Sequence, residues 1–306
     1  MIATSPPLNI AVPGAVAARL RFRGTPWVFE VRDLWPESAV TTGMMGSTSV
    51  LTRLMYRLER WAYESADRIN VLTPAFRDDI VRRGLAPDEK IFFVPNGVDV
   101  EMFSPSGRDN GCRHEFGWGN DFVALYAGAH GRANALHQLI DAAEQFKGRS
   151  GLRIVSVGDG PERAGLVEAV RGRGLVNVQF IGSQPKSRMP ELINAADVGL
   201  AVLQANPTFK TVYPNKVFDY MACAKPTVLG IDGVARELVC EQARAGLFAE
   251  PENGAQLAAR ISQLADDAVL ASDLGARGRA WVVANASRAA LAKRYLAELE
   301  RCISST

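Results

Sequence analysis

With 306 residues, 47% of them hydrophobic and 22% charged, the sequence can fill a sizeable core, and its length suggests about two domains. A net charge of +2 excludes the strong field that nucleic-acid binding needs, and no apolar run approaches the ~18 residues of a membrane span. Cys112, Cys223, Cys240 and Cys302 form no CxxC pair, and His114, His130 and His137 form no ligand cluster. This leaves no disulfide frame or metal site and suggests reduced thiols in a cytoplasmic protein.

Residues 1–4 read as a short apolar strand stopped by Ser5-Pro6-Pro7. A helix is expected over 10–22, with Arg19 and Arg21 near its C-terminal end, where cations suit the dipole. Residues 27–31 form an apolar strand. Arg32-Asp33-Leu34-Trp35-Pro36-Glu37-Ser38 then makes a loop beyond its carboxyl end, where open α/β sheets bind ligands. Asp33 reads either as a functional carboxylate or as the cap of a following helix, and Trp35 as packing. A helix is expected over 49–66, where Leu51, Leu54, Met55, Leu58, Trp61 and Ala62 recur at helical spacing and Arg53, Arg57 and Arg60 lie towards the other side. It reads either as packed on a sheet or as lying on an anionic membrane. Strands at 68–72 and 91–94 flank a helix at 75–83, and Asn96-Gly97-Val98-Asp99 makes a tight turn. Residues 104–120 are rich in Gly, Ser and Asn and read as a linker.

Beyond the linker, strands are expected at 122–127, 152–157, 177–181, 198–203, 227–231 and 246–249. Helices are expected at 133–146, 161–172, 187–195, 215–223, 234–242 and 254–265, with a last helical region over 272–302. This alternation argues for a parallel, doubly wound sheet. Three strands end in loops that let a ligand approach the backbone: Gly128 to Arg132 with Gly131, Gly158 to Arg163 with Gly160, and Gly182-Ser183-Gln184. The second is not a dinucleotide fingerprint, because Arg163 stands where the third glycine belongs. The stretch 209–239 reads as loop, helix from Asn215, strand, turn and helix. Its helix N-termini suit a phosphate-bearing ligand.

Pro214-Asn215-Lys216, the acidic Asp219 one turn on, Tyr220-Met221-Ala222 and Lys225-Pro226 together resemble the donor-sugar motif of retaining GT-B glycosyltransferases. The stretch 32–38 resembles a bacterial subgroup, family 4-like, that builds lipid-linked surface polysaccharides, and 93–103 resembles the exit from that family's first domain. The resemblance implies a GT-B α/β fold of two Rossmann-like doubly wound domains, the first incomplete. Their bounds would be 1–104 for a partial acceptor-side domain, 105–120 for the linker, 121–285 for the nucleotide-sugar domain and 286–306 for a helix crossing back. Residues 1–7 look like a mid-domain strand and loop, so about three strands, with one sheet edge unpaired, are expected before residue 100.

For the site, the resemblance implies that Asp219 holds the nucleotide ribose. Thr211 stands eight positions earlier, where the family places the Glu that meets the donor sugar. Arg132 and Lys216 would clamp the diphosphate, with Lys210 as the alternative lysine. Gly128, Gly131, Gly158, Gly160, Ser183 and Asn215 would line the donor site. Arg32 and Asp33 stand where related enzymes place a His beside the transferred sugar. No metal and no tightly bound cofactor is implied, so Arg, Lys and helix N-termini must meet the charge of the leaving diphosphate. The implied partners are a UDP-sugar donor, a lipid-linked saccharide acceptor and the inner face of the membrane. Peripheral contact with the membrane would run through Arg19, Arg21 and Arg23 or through the 49–66 helix. Two further readings are a nucleotide-sugar-binding fragment without turnover and a GT-B UDP-sugar epimerase.

Overall fold

The computed structural model describes residues 1–20 and 25–304. Two compact units emerge. The first comprises Met1–Asn96, Asn206–Tyr213 and the chain from Ala289 onward; the second comprises Gly97–Ala205 and Pro214–Arg288.

The first unit holds a parallel sheet in the order β1 (Ile2–Ser5), β2 (Val28–Val31), β3 (Arg68–Val71) and β4 (Ile91–Phe93). They are the four strands read from the sequence at 1–4, 27–31, 68–72 and 91–94, one more than the total of about three inferred from the resemblance. Side chains alternate across the sheet, as the strand repeat requires. Phe29, Val31, Ile69 and Val71 enter a core with α1 (Ala11–Leu20), α3 (Val50–Ser65) and α4 (Pro74–Arg82). Val28 and Phe92 face the other way, onto Leu291 and Cys302 of the C-terminal helix Arg288–Ser304. Local chemistry starts the helices: Ser49 accepts from the Thr52 N–H at 3.0 Å to cap α3, and Thr73 caps α4 ahead of Pro74. At the end of α4 the half-buried Arg83 donates to both oxygens of the buried Glu59 of α3, at 3.0 and 2.5 Å, and to Asp79 at 3.1 Å.

Two elements of this unit differ from the expectation at their ends. The helix expected over 10–22 begins as a 3-10 turn, Leu8–Ile10, and runs as α1 to Leu20; Arg21, Phe22 and Arg23 lie outside the described residues. The loop at 32–38 gives way to a short helix, α2 (Glu37–Thr41), in which Thr41 and Thr42 hydroxyls bond back to Ser38 and Glu37 carbonyls.

The second unit opens with a short helix inside the expected linker, α5 (Gly111–Glu115), capped by Asn110. Trp118 just after it is buried and donates to Gln179 at 2.7 Å. Six parallel strands follow: β5 (Phe122–Ala127), β6 (Leu152–Val157), β7 (Val178–Ile181), β8 (Val198–Val202), β9 (Thr227–Gly230) and β10 (Gly246–Phe248). Their order is β10-β9-β8-β5-β6-β7, the two-winged arrangement of a dinucleotide-type sheet. Helices α6 (His137–Glu144), α7 (Arg163–Gly172), α8 (Met189–Ala195), α9 (Asn215–Ala222), α10 (Val234–Arg236), α11 (Gly254–Asp266) and α12 (Ala268–Asn285) connect and follow them. The core is continuous from Tyr126 and Ile154 to Leu257 and Ile261.

The helix expected over 133–146 starts late. Residues Arg132–Asn134 are a 3-10 turn, and Ala135 at φ 44° separates it from α6. The helical region expected over 272–302 is broken at Ala286 and Ser287. There the Val98 backbone docks, donating to Ala286 O at 3.0 Å and accepting from Arg288 N at 2.9 Å. Among the described residues no helix is long and apolar enough to cross a membrane.

Candidate functional site

In the second unit β5 and β8 lie side by side, while the connections out of them turn to opposite wings of the sheet. Such a switch point opens a crevice beyond the carboxyl ends of the strands. A cavity of about 430 Å³ lies there. Gly128 after β5, Gly158 and Asp159 after β6, and Ser183 and Gln184 after β7 form one wall. Met189 and Ile193 of α8 and Lys216, Asp219 and Tyr220 of α9 form the other.

Two glycines let the loops close on each other. Gly158 has φ +143°, and a Cβ there would lie 1.9 Å from the Gly128 carbonyl oxygen. Gly160 has φ +155°, and a Cβ there would lie 2.6 Å from the His130 carbonyl oxygen. His130 is fully buried beneath these loops, with Nε2 2.8 Å from the Ser156 hydroxyl. Burial lowers its pKa, with Arg163 and Lys216 adding to the effect and Asp159 opposing it.

The electrostatics of the cavity centre on α9. Lys216 makes no ion pair among the described residues. Its amino group instead lies 3.6 Å from the centroid of the Tyr126 ring. Loss of hydration pushes its pKa down to about 7. Burial pushes Asp219 up to about 6, against the attraction of Lys186 and Arg288. A desolvated lysine and a desolvated carboxylate share one small cavity, and neither neutralises the other. Such a site gains most from a ligand that brings an anion to the lysine and a hydroxyl donor to the carboxylate.

Residues 113–281 match the family described as Glycosyl transferases group 1, and residues 1–97 match a Glycosyl transferase 4-like domain. The chain belongs to the group 1 glycosyl transferases. It is similar to a probable glycosyltransferase, WbjE, of Pseudomonas aeruginosa, at 24% identity over 79% of this chain and 60% of that protein. It is also similar to the putative colanic acid biosynthesis glycosyl transferase WcaI of Escherichia coli K12, at 25% identity over 79% of this chain and 61% of that protein. The match thus spans about 60% of the length of these relatives. Among solved structures, Anabaena HepE in complex with UDP superimposes with a TM-score of 0.82 at 20% identity, over 98% of this chain and 78% of that one. Sucrose-phosphate synthase from Thermosynechococcus elongatus gives 0.78 at 19%, over 100% and 74%. The likeness establishes the fold as GT-B, with two Rossmann-like α/β domains.

Of the residues expected to serve this family's donor, Gly128, Gly158, Ser183, Lys216 and Asp219 line the cavity. Asn215 is the first residue of α9 and is exposed. Gly160 is not among the lining residues and packs against the His130 carbonyl. Gly131 has an ordinary backbone, and a Cβ there would approach Asn134 no closer than 3.7 Å. Arg132 is exposed in the 3-10 turn and is not among the lining residues. Thr211 groups with the first unit: its hydroxyl donates to Thr208 O at 2.7 Å, and its carbonyl accepts from the Thr73 hydroxyl at 2.7 Å. Also in the first unit, Arg32 is exposed after β2, and Asp33 accepts from the Ser38 hydroxyl at 3.0 Å. Burial raises the Asp33 pKa, against the hydrogen bonds from Ser38 and the Leu34 N–H. The sequence reading missed Met189 and Ile193 as lining residues. Their i, i+4 spacing on a helix reads as ordinary core.

Proposed function

We propose that the chain is a retaining glycosyltransferase that moves a sugar from a UDP-sugar to a hydroxyl of a lipid-linked saccharide in surface polysaccharide synthesis. The observation that carries this reading is Lys216, its amino group against the Tyr126 ring, in one cavity with Asp219 at the switch point of the second unit. Lys216 meets the diphosphate, Asp219 accepts from the ribose hydroxyls, and Ser183 and Gln184 stand at the far wall for the base. The bond from the sugar C1 to the diphosphate breaks as the acceptor oxygen bonds to C1 on the same face. The acceptor proton passes to the departing diphosphate. Lys216 stabilises charge that grows in that step, which is where electrostatic catalysis acts. Arg32 and Asp33 serve the sugar and acceptor side, and Arg132 guides the anionic donor inward.

Peripheral attachment would use α3, which exposes Val50, Leu51 and Leu54 beside Arg53, Arg57 and Arg60. Retention on anionic vesicles should fall as salt rises; retention that is indifferent to salt would remove the charge from the explanation. A second reading, donor binding without turnover, draws on the Thr211 hydroxyl, which bonds to Thr208 O in the first unit. Incubation with UDP-sugars and lipid-linked saccharides separates the readings. UDP release that requires acceptor, with retained anomeric configuration in the product, supports transfer. Binding without release supports the second reading, and an isomerised sugar nucleotide would make the chain an epimerase.

A further inference from the structure

The fully buried Tyr126 sits at the end of β5 with its hydroxyl donating to Ala129 O at 2.9 Å. That bond fixes the ring under the Gly128 turn. The Lys216 amino group lies 3.6 Å from the ring centroid, close to the ring's negative face, and the glycine closes the arrangement from above. A Cβ at position 128 would lie 2.8 Å from Lys216 Nζ and 3.2 Å from the Tyr126 hydroxyl. We propose that Tyr126 is a positioning residue for the donor diphosphate: its ring face seats the Lys216 amino group at the cavity wall. This rests on the reading that Lys216 meets the diphosphate.

A desolvated lysine with no carboxylate partner has little to hold it charged or in one place. The ring supplies both functions without an anion that would compete with phosphate. The other titratable groups around Lys216 are Asp219 and Tyr220 on its own helix, Asp159 on the loop after β6, and the buried His130 beyond the ring, 6.2 Å from Tyr126 between centroids. A purely structural tyrosine would influence the whole cavity alike, whereas a positioning tyrosine acts on the phosphates only.

The test compares UDP with uridine, across pH, in the whole chain. Without the ring face the free Lys216 amino group is harder to charge, so Tyr126→Leu should bind UDP about tenfold more weakly than wild type at pH 8.5 and less than about twofold more weakly at pH 5.5. Uridine affinity should not move, and Tyr126→Phe should stay within about threefold of wild type for both ligands. Equal losses for UDP and uridine, or a UDP loss that is the same at both pH values, would overturn the proposal. Should Tyr126→Leu fail to fold, phenylalanines of rising fluorination at position 126 keep the shape and weaken the ring face. A graded loss of UDP affinity is then expected, and a flat response overturns the proposal. Lys216→Ala tests the underlying reading separately. If it weakens UDP selectively while the ring variants do not, the lysine keeps its role and Tyr126 loses its own. If it affects UDP and uridine alike, both fall.

Discussion

Replacing Gly158 by alanine probes how tightly the loops after β5 and β6 are packed. The added Cβ would lie 1.9 Å from the Gly128 carbonyl oxygen, in a backbone at φ +143° that side chains rarely adopt. Neither loop can step aside cheaply. The Gly128 N–H donates to Val157 O at 2.9 Å, and the Gly158 N–H to Ile181 O at 3.0 Å. Overpacking costs roughly 1–3 kcal/mol and the strained backbone roughly another 1–3, so Gly158→Ala should destabilise the second unit by about 2–6 kcal/mol. Two units need not unfold together, so the assay is urea unfolding by tryptophan fluorescence with and without UDP. The transition that UDP shifts reports the second unit. Gly165→Ala in α7 is the control: nothing lies within 4 Å of its Cβ, and it should gain up to about 1 kcal/mol. If Gly158→Ala were as stable as Gly165→Ala and bound UDP like wild type, the two loops would not abut as described.

Lys216→Ala should weaken UDP by about 1.5–3 kcal/mol more than uridine, the worth of a hydrogen bond to a charged group, as titration of both ligands will show. Lys216→Met should trade function for stability. Burial holds the folded pKa at about 7 against 10.5 for the free side chain, so the folded state bears the full cost of the charge below pH 7 and none above about 10.5. The gain in melting temperature should therefore be largest near pH 6 and vanish near pH 10.5; a constant gain would point to packing instead. Asp219→Asn should weaken UDP and uridine together, since ribose is common to both, and a loss confined to UDP would remove Asp219 from the ribose. Arg83→Ala leaves the buried Glu59 without its partner and should cost about 3–5 kcal/mol by urea unfolding, while a loss under about 1 kcal/mol would mean that the pair is not held as seen.

The second unit is the more legible part of the sequence. Its parallel strands, buried on both faces, read as unbroken apolar runs, and Gly128, Gly158 and Gly182 mark their carboxyl ends. Helix ends were less legible where a distant segment sets them. No local signal in 272–302 announces the break at Ala286, because Val98 docks there from elsewhere in the chain. The site divides in the same way. Lys216 and Asp219 stand in a motif. Tyr126, against which the lysine packs, and Met189 and Ile193, which line the same cavity, belong to no such motif. Thr211 is near Lys216 in sequence, yet its contacts lie with Thr73 in the first unit, which no spacing rule reveals.

In the proposed site Lys216 receives the phosphates of a nucleotide and takes up a proton as they bind. Calorimetric titration with UDP at pH 8, in two buffers of different ionisation enthalpy, measures this directly. With a free pKa of about 7, binding should take up roughly 0.9 proton per UDP in wild type and none in Lys216→Met. UDP binding with no proton uptake, or with the same uptake in both proteins, would contradict it.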